Sequence, residues 1–395
     1  MVLRGGTIST ADSSRRSALR LKLDELLARE EMMWKQRGKV QWLREGDLNT
    51  AFFHAKASAR QRKNTISHLR RQDGSWSSSA AEVQNIITSY FHGLFTSTRP
   101  SDADIEAAIE GLTTRVSTEM NSQLLLPFTA DEVKNALFQM YPYKSPGPDG
   151  MSPIFFQKYW DVVGPDIISF TLSFLNDRIF YPKFNYTYIV LIPKCPNPEL
   201  MSHFRPISLC NITYKIASKA IANRLKPFLN SIISEYQSAF LPGRLITDNV
   251  LVAYEINHYL AHKYWGSVGH MALKLDLSKA YDRVEWIFLE RVLSRLGFDP
   301  SFISLIHSCV TTTSYSILLS GQKFGYFHPQ RGLRQGDPLS PYLFLFCAEV
   351  FSCLISMAEA AGQLKGWQLV VVDLGSHTYY SQTIHSSSVR RRQKL

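Results

Sequence analysis

Two aspartates, Asp276 and Asp282, sit six residues apart in KLDLSKAYDRVEW at residues 274–286, where charged and apolar residues interleave. A carboxylate in the middle of an apolar strand is costly to bury unless a cation neutralises it. A divalent ion answers this well, because Mg2+ takes carboxylate oxygens and keeps positions open for phosphate oxygens. Residues 271–277 (MALKLDL) alternate as a strand should, so Asp276 is expected to project at the edge of a strand. Tyr281 and Asp282 would then begin a helix. The competing reading makes Asp276 a satisfied structural carboxylate, or Asp282 a helix cap, and these residues alone leave both open.

Two further segments are chemically suggestive. Residues 331–344, RGLRQGDPLSPYLF, form a polar loop opening onto an apolar helix. Gly332 and Gly336 permit close backbone approach, and the N-terminus of the following helix favours an anionic phosphate. Upstream, a β-like run ends in Ile192-Pro193-Lys194, and Arg205 follows in HFRPISLCN. A Lys and an Arg flanking a loop after a strand can hold a triphosphate; the plainer alternative is a pair of surface cations on a hairpin.

The chain of 395 residues carries a formal net charge of +11, which attracts a polyanion such as nucleic acid. Much of this charge falls in residues 14–72. There Arg60, Arg62, Lys63, Arg70 and Arg71 lie close to Trp42, Phe52, Phe53 and His54. Basic residues interleaved with aromatics suit phosphate neutralisation plus base stacking. An amphipathic helical arm with a solvated basic face accounts for the same pattern.

The elements that must position these groups are legible in outline. Helices are expected over residues 15–37, 129–141, 214–233, 249–262 and 341–360. Strands are expected over residues 186–194 and 271–277, with a hairpin formed by 314–319 and 324–327 around Gly321. The cluster YPYKSPGPDG must be a loop. Strands mixed with helices, without strict βαβ alternation, indicate an α+β fold. A hydrophobic share of 45% against 19% charged indicates a folded chain. No apolar run is read as long enough to span a bilayer, since residues 342–357 are broken by Glu and Ser, and no membrane is expected as a partner. The N-terminus has no apolar signal segment. Five cysteines with no CxxC pair point away from a disulfide framework or zinc site and toward a reducing compartment.

Taken in order, the segments SPGPDGM, VLIPK, FRPISL, YKIASKAIANRL, EYQSAFLPGRLITDN, KLDLSKAYDRVEW and RGLRQGDPLSPYLF resemble the reverse transcriptase of non-LTR (LINE-type) retrotransposons, plant elements in particular. The resemblance spans about residues 130–365. It implies a fingers–palm reverse-transcriptase fold with an incomplete palm and no thumb, preceded by a helical basic connector. Residues 1–125 would be the connector, 126–265 fingers, 266–370 a partial palm, and 371–395 a basic tail. By the same implication Asp276 is the first catalytic, metal-binding aspartate, and Tyr281 the aromatic gate under the sugar. Gln335 and Gly336 line the nucleotide pocket, while Lys194 and Arg205 meet the incoming triphosphate. The parent enzyme would use two Mg2+ ions, an RNA template, a DNA primer and deoxynucleoside triphosphates in the nucleus, with no protein partner assigned. A group II intron maturase is the nearest enzymatic rival, but FRPISL and EYQSAFLPGR look more like the retrotransposon type.

The family carries its second carboxylates as an Asp-Asp pair, and this sequence contains no Asp-Asp dipeptide. After Asp337 the single remaining aspartate is Asp373, in VVVDLGSH. Read one frame over, degenerate codons for GSHTYYSQTIHSSS permit I-S-H-L-L-F-A-D-D-S-F-I-F, so the tail is expected to have left its frame near residues 370–375. The chain alone is therefore expected to be inactive, and one alternative is a non-catalytic RNA-binding remnant using the fingers and the basic arm. A decayed element with no selectable product is the other.

Overall fold

A computed structural model of the chain describes residues 10–38, 50–71, 73–181, 183–264, 270–273, 275–367 and 384–386. Trp42 and residues 371–383, with the Asp373 segment and most of the tail, lie outside the described residues. The chain divides into two compact units: residues 1–80 with 191–205, and residues 81–190 with 206–395.

In the first unit, α1 (Thr10–Gly38) and α2 (Thr50–Asn64) are consecutive helices that pack on each other. Along α1, Leu19, Leu21, Leu23, Leu26 and Leu27 are exposed. After α2 the chain makes a tight turn at residues 70–77, closed by an isolated bridge between Arg70 and Trp76.

The second unit holds the main core. It begins with α3 (Ala80–Phe95), α4 (Asp102–Ile109), α5 (Thr118–Leu124) and α6 (Ala130–Phe138). A full capping box starts α6: Thr129 and Glu132 satisfy each other's backbone amides. Next come α7 (Pro153–Lys158), α8 (Trp160–Leu175), α9 (Ile212–Leu225), α10 (Leu229–Ile232) and α11 (Ile246–His262). Buried positions surround most of α9, including Ile216, Ala217, Ala220, Ile221 and Leu225, which makes it a central helix of the core. The series closes with α12 (Trp286–Leu296), α13 (Pro300–Thr311) and α14 (Ser340–Ala360).

One four-stranded sheet contains β1 (Tyr186–Pro193), β2 (Phe204–Cys210), β3 (Ser314–Leu319) and β4 (Gln322–Phe327) in the order β2-β1-β3-β4. Strands β1 and β3 run parallel, with Tyr186 opposite Ser314. β3 and β4 form the expected hairpin, and Leu319 pairs with Gln322. Its two-residue turn, Ser320-Gly321, has positive φ at both positions (50° and 84°), as the twist of a tight hairpin demands. On α3, Phe95 packs against Tyr315 and Phe327 of this hairpin. A separate antiparallel pair joins β5 (Lys365–Trp367) to β6 (Ile384–Ser386).

Two expectations are corrected. The described residues of 271–277 form no strand, and Leu273, Leu275 and Leu277 are each at least 60% exposed. The alternation is present, but among the described residues no strand pairs with it, and a lone strand leaves its amides without a ladder. The second concerns apolar runs: α14 is long and apolar enough, by length and composition, to cross a membrane. In this fold its Leu343, Leu345, Phe346 and Val350 enter the core, and its buried Glu349 pairs with Arg115 at 2.6 Å.

Candidate functional site

The loop at residues 331–337 and the turn at residues 281–286 are laced together in the second unit. Leu333 N–H donates to the Tyr281 carbonyl (2.7 Å), and Gly332 N–H donates to that of Val284 (2.8 Å). The Trp286 indole donates back to the Gly332 carbonyl at 2.9 Å. Arg331 and Glu285 form a bridge and a largely buried ion pair at 3.1 Å. Glu285 also accepts from the Ser97 hydroxyl and the Thr98 amide, and these donors with Arg331 hold its carboxyl below the ordinary range against the effect of burial.

Glycine is required at one point of this loop. Gly332 has φ +98°, and a Cβ there would stand 2.8 Å from the Asp282 carbonyl oxygen and 2.9 Å from the Phe95 ring. Gly336 has φ +113°, and its missing Cβ faces the Ser208 carbonyl at 3.3 Å. Ser208 in turn donates its amide to the Gln335 carbonyl at 2.9 Å, tying the loop to β2.

Between the two segments, Gln335 Nε2 donates to both carboxylate oxygens of Asp282, at 3.2 and 3.3 Å. Asp282 is 1% exposed, at the centre of a short 3-10 turn over Tyr281–Arg283. Tyr281 stacks flat on Phe344 of α14, with ring centroids 4.8 Å apart and planes inclined by 16°. Partial burial pushes its phenol up from the ordinary value.

Beneath the loop lies a buried charged network. Arg334 pairs with Asp337 at 3.0 Å, donates to the Cys309 carbonyl at 2.8 Å, and lies 3.9 Å over the Tyr214 ring. Asn185 accepts a further guanidinium hydrogen bond. Asp337 also accepts from the Tyr214 hydroxyl (2.9 Å) and the Leu339 amide (3.0 Å). Burial opposes the charge on Arg334, but the Asp337 carboxylate beside it outweighs that and keeps the guanidinium protonated.

Residues 192–370 match the family model for reverse transcriptase (RNA-dependent DNA polymerase). An uncharacterized 149 kDa protein of transposon TX1 from Xenopus laevis is 30% identical over 319 residues, covering 81% of this chain and 24% of that protein. The retrovirus-related Pol polyprotein of the type-2 retrotransposable element R2DM from Drosophila melanogaster is 28% identical over 200 residues, covering 51% of this chain and 18% of that protein. The chain carries a reverse-transcriptase domain of the non-LTR retrotransposon type. Its fold is the mixed α+β reverse-transcriptase fold. It spans a quarter or less of the length of these curated relatives (24% and 18%). Among solved structures, a chain of a partial Cas6-RT-Cas1–Cas2 complex is similar at a TM-score of 0.35 and 20% identity, over 64% of this chain and 36% of that one.

The residues read from sequence fall into groups. Tyr281, Gln335 and Gly336 come together around Asp282. Asp276 is exposed, on a segment without regular structure, and lines a cavity of about 460 Å3 with Ile105, Val284, Phe288, Phe344 and Cys347. Lys194 and Arg205 belong to the first unit, where the Lys194 amide donates to His203 (2.8 Å) and its ammonium to the Ser202 carbonyl (3.1 Å). Arg60, Arg62 and Lys63 are exposed on α2. Arg70 and Arg71 are engaged in their own turn: Arg70 bonds Gly74 and faces Glu199 at 3.7 Å, and Arg71 bonds Ser75 and Trp76 at 3.0 Å.

A two-ion phosphoryl-transfer site needs more than one carboxylate. Two other acids line the cavity at Asp276, and both are engaged: Glu285 as above, and Asp104 with the Ser101 hydroxyl at 2.6 Å. Among the described residues no group of three or more His, Cys, Asp or Glu side chains comes together for a metal. The donors in the described chain therefore do not fit a two-ion centre.

The sequence left the burial of Asp282 undecided and did not single out Arg334, Asp337, Tyr214 or Phe344. Arg334 and Asp337 had a signal: opposite charges three apart in a loop bordered by apolar segments.

Proposed function

We propose that this chain is part of an RNA-directed DNA polymerase from a non-LTR retrotransposon, and that by itself it binds nucleic acid without extending a primer. The observation that carries the reading is the pair of hydrogen bonds from Gln335 to Asp282, which joins the segment of Tyr281 to the loop of Gln335 and Gly336. In this reading Tyr281 supports the sugar of an incoming deoxynucleoside triphosphate, and Gln335 with Gly336 lines its pocket. Asp276 is the first metal-binding carboxylate, and Lys194 and Arg205 receive the triphosphate. Mg2+ is the family's ion and supplies charge neutralisation for phosphoryl transfer. One carboxylate holds such an ion poorly, and the sequence offers no Asp-Asp pair beside it. The template is RNA and the primer DNA.

Titration of the 395-residue chain with a labelled RNA–DNA template–primer tests the binding half. Tight, salt-sensitive binding is expected, unchanged by Asp276→Asn and weakened when Arg60, Arg62 and Lys63 are neutralised. No binding at low salt overturns the reading.

A further inference from the structure

Four lysines gather in the second unit, none of them given a role above. Lys215 and Lys219 are one turn apart on α9, and Lys226 follows two turns on, so all three share one face. Lys144 reaches them from the loop before α7. That loop is clamped to the start of α9: a Cβ on Gly147 would stand 2.4 Å from the Asn211 amide nitrogen, and Asn211 Oδ1 accepts from the Asp149 amide at 3.2 Å. Lys144 faces both Lys215 and Lys219, and Lys219 stands within hydrogen-bonding reach of Lys226.

These charges are not balanced locally. The α9 sequence ITYKIASKAIANRL contains no acid, and its Arg224 is committed to Glu132 at 2.6 Å. Asp149, beside Lys215, is the acid facing the group. Lys215 is 5% exposed, and none of the four lysines forms an ion pair among the described residues. Desolvation first, and mutual repulsion after it, lower both Lys144 and Lys219, the latter to about 8. Such an arrangement is unfavourable in the free protein and is relieved by a polyanion.

We propose that Lys144, Lys219 and Lys226 form a binding track for the phosphodiester backbone of a nucleic-acid strand, with the buried Lys215 adding positive charge behind them. A helical rise of 1.5 Å per residue sets Lys219 and Lys226 about 10 Å apart, too far for one phosphate and suited to successive ones. The proposal rests on the nucleic-acid reading above and adds contact residues which that reading does not name.

The test is fluorescence titration of a labelled single-stranded oligoribonucleotide with the full chain over a series of salt concentrations. Lys219→Gln combined with Lys226→Gln is expected to weaken binding several-fold and to flatten the log–log salt slope by about 1.4, the value for two lost phosphate contacts on a single strand. Lys183→Gln with Lys323→Gln, both exposed elsewhere, changes net charge equally and is expected to leave that slope in place. Lys144→Gln, on an exposed loop residue, reports on the track independently of helix integrity. If the double variant keeps its affinity and slope while the chain binds RNA, the track is refuted and the polymerase reading stands. If the unsubstituted chain binds no RNA, both fall.

Discussion

Gln335 holds both oxygens of the buried Asp282 carboxylate, at 3.2 and 3.3 Å. The sequence posed the problem of an aspartate in apolar surroundings at Asp276, and the fold places that burial at Asp282 instead. Truncation by Gln335→Ala strips two hydrogen bonds from a buried charge, at a cost of about 1–3 kcal/mol. Gln335→Glu sets two carboxylates in contact and is expected to destabilise more. Denaturant midpoints rank the two variants, and equal stability of Gln335→Glu and wild type contradicts the assignment.

The Arg334–Asp337 pair is the next most exposed to test. Removing one partner by Arg334→Met leaves Asp337 buried and uncompensated, at about 3–5 kcal/mol. Joint replacement, Arg334→Met with Asp337→Leu, is expected to recover part of that loss, because no charge is then stranded. Recovery stays partial, since Tyr214 and the Leu339 amide lose their acceptor. A double variant less stable than Arg334→Met alone goes against this account.

Residues 271–277 carry a strand's alternation without a strand's partner. Amide hydrogen exchange at Leu273, Leu275 and Leu277 is expected to be fast, while Ile317 of β3 is protected. Leu275→Lys is expected to leave the unfolding midpoint nearly unchanged and reduce aggregation, because it breaks an exposed apolar run. Protection at Leu275 equal to that at Ile317 rules this out.

Lys219 links stability to pH. Its folded-state value is lowered from 10.5 to about 8 by desolvation first and by Lys226 next. Between those values the unfolded chain binds more protons, so the penalty is full below about pH 8 and fades as pH rises toward 10.5. Lys219→Met is expected to be more stable than wild type at neutral pH, with the gap narrowing as pH rises through that window. A gap independent of pH is inconsistent with the lysine cluster.

Local signals made much of the fold legible. The Thr129–Glu132 capping box and the Ser320-Gly321 turn each fix an element by contacts within a few residues. The strand at 271–277 failed because a strand depends on a neighbour that sequence periodicity does not supply. At the candidate site, the sequence singled out two segments that the fold hydrogen-bonds together but left the fates of the two aspartates open. Which one is buried depends on Gln335, more than fifty residues away in the chain. Arg70 and Arg71 read as free cations because their partners in the turn are backbone carbonyls and hydroxyls, which leave no charge pattern. The α9 lysines were passed over for a related reason: their helix reads as apolar and internal, and the clustering arises through Lys144, from a distant loop.

Primer extension bears most directly on the central proposal, that this chain is a non-LTR reverse-transcriptase domain in which Asp276 stands without an Asp-Asp pair in these 395 residues. With Mg2+, an RNA template, a DNA primer and all four deoxynucleoside triphosphates, the purified chain is expected to bind the template–primer and add no nucleotides. Template-directed synthesis that Asp276→Asn abolishes would contradict that claim.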